Sequence, residues 1–234
     1  MSEFKKVPEV KIVHSFDELV STPFSGNINA LCWQRNLKGD FDEIAKKLAI
    51  SEDIATLDTQ DLLDLNLSSL GQLARETLIQ DQDLLKEMDL SPSLDVISAY
   101  PIDKNTGPIP TDVYSFHVDS CPVQVDTYLC SYNVAGSEGL RNSEATRRVD
   151  EISTREKLLN VYGGQDDEGF VTFLREHFYD LHYLPSTPTV QPYSFGIGNL
   201  WRCATQWPNS SVLPCIHRAP PRATIKSPRL LLIS

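Results

Sequence analysis

Along the first ninety residues, apolar positions recur at helical spacing more often than they alternate. Val10 to Val13 and Ile28 to Trp33 are short β-branched or apolar runs and predict strands. Phe41 to Ile50 (FDEIAKKLAI) has helical periodicity, with Asp40 as its N-cap. Thr59 to Leu90 is helical again, with Leu62, Leu63, Leu70, Leu73, Leu78, Leu84 and Leu85 at mixed spacings of three, four and seven. One or two amphipathic helices are expected, their leucines entering a core, because no heptad register holds. After Ser91-Pro92 the texture changes. Asp95 to Tyr100 reads as a strand and Pro101 to Pro110 as a turn-rich loop. Val113 to Val118 and Val123 to Tyr132 alternate like strands, and the segment 135–139 reads as a turn. Residues 142–190 are polar and partly helical, most clearly at Glu168 to Leu181. Strand texture returns at Tyr193 to Phe195, Leu200 to Ala204, Val212 to His217 and Arg229 to Ile233. The pattern predicts a single α+β domain over 1–234. A mainly helical part, 1–92, packs against an antiparallel barrel or sandwich, 93–234, which carries a partly helical insertion at 142–190.

Composition narrows the options. With 41% hydrophobic and 23% charged residues, the 234-residue chain has the make-up of a globular protein, which excludes global disorder. A net charge of −11 disfavours nucleic acid and anionic membranes as partners. The acidity is uneven, however. Residues 40–95 are acidic, while 202–229 hold Arg202, Arg218, Arg222, Lys226 and Arg229 and no acidic residue. That stretch is either an anion pocket or a solvated basic edge. Five cysteines without a CxxC indicate buried thiols, not a disulfide framework or a cysteine zinc site. The polar start of the chain and the lack of any apolar run near ~20 residues lead to the expectation of a cytoplasmic protein. Phosphate-loop and G-x-S-x-G signatures are both missing.

The chemistry centres on Phe116-His117-Val118-Asp119. In a strand, positions i and i+2 share a face, so His117 and Asp119 can both face a barrel mouth. They supply two of the three ligands of a 2-His-1-carboxylate site, which leaves open positions on ferrous iron. His217, at the end of the apolar run from Val212, suits the third. Arg229 lies twelve residues further on, at the head of the last strand, where its guanidinium could bind a carboxylate through two parallel hydrogen bonds. Arg218 and Arg222 are alternative anion anchors. Arg141, between Glu138 and Glu144, could meet an acidic substrate or be merely solvated. His177 and His182 are five apart, not the i,i+4 of a helical metal pair, and are expected to be surface or packing residues.

The order HxD, then a distant His, then an Arg a dozen residues later resembles the iron(II)/2-oxoglutarate-dependent oxygenase superfamily, over roughly Tyr114 to Ile233. The resemblance implies a double-stranded β-helix, a jelly-roll or cupin-like barrel. It also implies Fe(II) on His117, Asp119 and His217, with the cosubstrate 2-oxoglutarate anchored by Arg229 and aided by Tyr128 or Tyr132. Arg141 and Arg218 would then bind a small polar substrate, such as an amino acid, that is hydroxylated with dioxygen. Trp33-Gln34-Arg35, FHVD, GSEGLRN and IHRAPP are similar to segments of a family of small bacterial proteins, which implies no substrate. Two features depart from the superfamily pattern. Asp119 and His217 are 98 residues apart, and Leu231 stands where many members have Ser or Thr. Asp119 itself argues against the halogenating subgroup. The alternatives are a cupin-like metalloenzyme that does not use 2-oxoglutarate and a non-catalytic metal- or partner-binding barrel.

Overall fold

The computed structural model describes residues 7–48, 53–100, 107–224 and 227–234. The N-terminal part alternates strands and helices: β1 (Val10–Val13), α1 (Phe16–Ser21), β2 (Ala30–Trp33), α2 (Phe41–Lys47), β3 (Ile54–Leu57), α3 (Thr59–Leu63) and α4 (Ser69–Lys86). Then come β4 (Ser93–Ile97), β5 (Phe116–His117), β6 (Asp126–Ser131), β7 (Glu138–Leu140) and β8 (Ala145–Arg147). After α5 (Ile152–Tyr162) and α6 (Glu168–Glu176), the chain ends in β9 (His182–Pro185), β10 (Tyr193–Ser194), β11 (Leu200–Ala204), β12 (Ile216–Arg218) and β13 (Arg229–Ile233).

The architecture is α+β. A large mixed sheet has the order β1-β2-β11-β6-β13-β4-β3, and a smaller one the order β10-β7-β12-β5-β9-β8. The β1–β2 pair is parallel, and the other pairs of named strands are antiparallel. One face of the large sheet is covered by the helices. Tyr128, Cys130, Leu200, Leu230 and Leu232 pack there against Leu19, Ile44, Leu62, Leu78 and Leu85. On the other face, Leu129, Trp201 and Cys203 meet Phe195 and Cys215 from the segments around the small sheet.

Local chemistry explains the helix starts. Ser15, Asp40, Asp58, Ser68 and Asp167 each accept a hydrogen bond from a backbone N–H in the first turn, satisfying a donor that has no intrahelical partner. In α4, Leu78 and Leu85 reach the core, and so does Leu62 of α3, whereas Leu63, Leu70 and Leu73 are exposed. The leucine pattern therefore overstates the apolar face.

Three expectations change. The strands expected at Val10–Val13 and within Ile28–Trp33 form one edge of the large sheet, and the unexpected β3 forms the other, so 1–92 contributes strands at both edges. The expected turn at 135–139 gives way to β7 at Glu138, in the middle of the small sheet. The strand expected from Val212 shrinks to Ile216–Arg218. Pro214 has no N–H for a ladder, and its carbonyl accepts from the side-chain amides of Asn29 and Asn142. The insertion adds the β8–β9 pair to the small sheet and has a cluster of its own in Val149, Leu158, Phe170 and Leu174. The first part of the expected loop at 101–110 lies outside the described residues. No helix among the described residues is long and apolar enough to cross a membrane.

Candidate metal centre

His117 on β5 and His217 on β12 are cross-strand partners, so both rings project from one face. Their centroids are 4.7 Å apart. Asp119 follows β5, and its Oδ2 lies 3.6 Å from His217 Nε2. One donor atom from each of His117, Asp119 and His217 falls within 4.8 Å of the others, a group that could hold a metal ion. The two histidines are held alike. Nδ1 of His117 lies 2.8 Å from the carbonyl oxygen of Ser115, and Nδ1 of His217 lies 3.3 Å from that of Cys215. In each case the residue two positions earlier fixes the ring. An Nδ1–H donated to that carbonyl leaves Nε2 with a free lone pair, as metal ligation requires. Thr127 Oγ1 donates to Asp119 Oδ2 at 2.5 Å and orients the carboxylate.

The electrostatics of the three groups are linked. Burial opposes the charge of His217, but Asp119 and then Cys215 raise its pKa to about 9. Burial and the neighbouring His217 lower that of His117 to about 4. Burial also opposes ionisation of Asp119, yet His217, the Thr127 hydrogen bond and His117 hold it below the usual carboxylate range. Without metal, the cluster carries an aspartate, one imidazolium and one neutral imidazole.

Arg229 heads β13 on the inward face and is 1% exposed. Nη1 donates to Tyr100 Oη at 2.6 Å, and Nη2 donates to Ser131 and Ser137 Oγ at 2.6 and 2.9 Å. Nε is buried without a partner, and the guanidinium makes no ion pair among the described residues. Burial lowers its pKa.

The other predicted residues are not brought to this centre. Tyr128 and Tyr132 lie on the helix-facing side of the large sheet, where Tyr132 donates to Asp81. They point away from His117 because β6 turns Thr127, Leu129 and Ser131 inward instead. Arg218 follows the inward His217, so it faces outward, where it pairs with Glu138 at 2.6 Å and lies over the Phe116 ring. Arg141 pairs with Glu144 in a partly exposed contact, and Arg222 is exposed beside Tyr114. His182 is not a surface residue. It is buried on β9 directly across from His117. Sequence reasoning missed Thr127, and its signal was the alternation of β6, in which Thr127 and Ser131 share one face and the apolar Tyr-Cys-Tyr series takes the other. No family model, curated protein or solved structure matches the chain.

Proposed function

We propose that the protein is an iron(II)- and 2-oxoglutarate-dependent oxygenase acting on a small polar molecule, with His117, Asp119 and His217 as iron ligands and Arg229 as the cosubstrate anchor. The observation that carries this reading is Arg229. A guanidinium removed from water costs several kcal/mol unless an anion compensates it, and this one has only hydroxyl partners. It lies on the inward face of the large sheet, the side that meets the small sheet bearing the histidines. Leu231, two residues along the same face of β13, packs with Ala219, two residues beyond His217. A dicarboxylate bound at the metal by one end would supply the missing charge with the other. Where the superfamily pattern has a hydroxyl at position 231, Ser131, the cross-strand partner of Leu231, takes that place beside Arg229.

The strand order supports the same reading. In chain order, β4, β5, β6 and β7 alternate between the sheets, as do β10, β11, β12 and β13. They give β4-β13-β6-β11 in one sheet and β5-β12-β7-β10 in the other, the arrangement of an eight-stranded jelly roll. The 98-residue gap between Asp119 and His217 is then lengthened by the insertion 142–190, which lies between β7 and β10.

Two imidazoles and a carboxylate suit ferrous iron and leave positions for other ligands. The bound metal and 2-oxoglutarate would supply the activation of dioxygen, the step that side chains cannot perform. The chain's part is to fix the ligand atoms through Ser115, Cys215 and Thr127, and to orient the cosubstrate through Arg229.

The test is an anaerobic titration with ferrous iron and then 2-oxoglutarate, followed by visible absorption. A weak charge-transfer band that needs both components and is lost in His217→Ala is expected. Tight iron binding with no band on adding 2-oxoglutarate would remove the cosubstrate from the reading. No iron binding would remove the metal as well.

A further inference from the structure

The metal ligands belong to a longer row. His217 pairs with His117 across β12 and β5, and His117 pairs with His182 across β5 and β9. The last pair between β9 and β8 is Tyr183 with Arg147, and the next residue, Arg148, opens a 3-10 turn that packs against β9. Alternation separates the faces. Tyr183 joins the outer cluster around Phe116, and Arg147 pairs with Asp150. His182 therefore continues the inward row away from the metal ligands, in the order His217, His117, His182, and Arg148 lies in the turn packed against its strand.

Both have unanswered hydrogen-bonding capacity. His182 is 4% exposed, its ring centroid is 5.9 Å from that of His117, and its Nδ1 is buried with no partner. Arg148 is half-buried, its Nε is buried with no partner, and it makes no ion pair among the described residues. Buried polar atoms without partners are uncommon, and two on adjacent residues beside a candidate metal site mark a place where a ligand completes the bonding. A buried guanidinium N–H beside a buried ring nitrogen can take the two oxygens of one carboxylate, and a single guanidinium matches a singly charged group better than a dianionic phosphate.

We propose that Arg148 and His182 form the subsite for a carboxylate group of the substrate. This rests on the reading of His117, Asp119 and His217 as the metal ligands. The insertion 142–190 then carries the residues that choose the substrate, since Arg148 directly follows its β8 and His182 opens its β9. Arg229 serves the cosubstrate from the large sheet and Arg148 the substrate from the edge of the small one, so two carboxylates approach the metal from different sides.

Ligand-observed NMR on the full chain tests this. The probes are the amino acids and the linear monocarboxylates from acetate to hexanoate, their methyl esters, and methyl phosphate. Each is titrated into the protein loaded with Zn(II) and 2-oxoglutarate and, in parallel, into metal-free protein. At least one carboxylate should bind while its ester does not. Arg148→Met should weaken that binding by about tenfold or more, Arg148→Lys by less, and His182→Phe should weaken it too. Zn(II) and 2-oxoglutarate affinities should stay unchanged in Arg148→Met, with an unchanged circular dichroism spectrum. The proposal is overturned if no carboxylate binds, if esters or methyl phosphate bind as well, or if Arg148→Met binds like the parent. Failure of the parent protein to bind Zn(II) would instead overturn the metal reading, and the metal-free arm would still decide the subsite.

Discussion

His117 and His217 face one another from neighbouring strands, yet they hold protons very differently. Burial disfavours the charge on both, but Asp119 lies close to His217 and raises its pKa to about 9, leaving His117 near 4. A metal entering the site therefore displaces one proton, from His217. Between about pH 6 and 8, metal affinity should rise by about one log unit per pH unit and level off above about 9. Competition of Zn(II) against a chromophoric chelator across this range measures the slope, and a value near zero or two would refute the proton assignment. In the metal-free protein the same proton stabilises the fold. Its contribution is full below the ordinary value of 6.5 and is lost as pH rises through about 9. Thr127→Val removes the hydroxyl that orients Asp119, and metal affinity should fall about 10- to 100-fold with little change in unfolding midpoint. Arg229→Met separates stability from function. Replacing an uncompensated buried charge by an apolar chain should leave stability unchanged or raise it, by up to about 4 kcal/mol. Affinity for 2-oxoglutarate should drop at least about tenfold. A destabilised variant with intact cosubstrate binding would make Arg229 a structural residue.

At the scale of elements, β11 and β13 show what was legible. Leu200–Ala204 and Arg229–Ile233 match their predicted spans, because central strands buried on both faces are continuous apolar runs. The triad was legible for a related reason, as the i, i+2 spacing of His117 and Asp119 fixes a shared face. The β8–β9 pair and β3 were not, since segments of three or four residues leave little periodicity and are set by their neighbours. The tyrosines of β6 were misplaced because an aromatic residue near a HxD motif suggests a ligand contact, whereas the larger apolar layer here is the helical one. That layer has a polar lock. Arg35, just beyond β2, pairs with Asp81 of α4 at 2.6 and 2.8 Å, and Tyr132, just beyond β6, donates to the same carboxylate. Arg35→Met alone leaves Asp81 buried and unpaired and should cost about 3–5 kcal/mol in chemical denaturation. The double variant Arg35→Met/Asp81→Leu should recover most of that loss, and equal losses in both would show that the pair itself, not the orphaned charge, carries the stability.

Across the whole molecule, a metal held by His117, Asp119 and His217 would tie β5 to β12 through residues 98 apart in the chain, counting from Asp119 to His217. Binding only the folded state, it should raise the midpoint in proportion to its occupancy. At a hundredfold excess over Kd the gain is about 2.7 kcal/mol, or roughly 5–10 °C for a chain of this size. Differential scanning fluorimetry with and without Zn(II) measures it, and the shift should vanish in His217→Ala.

The strand order has a further consequence, for synthesis. β12 sits between β5 and β7, and β13 between β4 and β6, so the middle of each sheet is filled by strands that come late in the chain. On the ribosome, the earlier strands must wait with unpaired edges until those residues emerge, a setting in which exposed edges invite association. Neither sheet can close early, and His217 arrives with the strand that closes one of them. The centre that would hold the metal and the completed fold are therefore made in the same step, so no long-lived nascent intermediate carries a finished site.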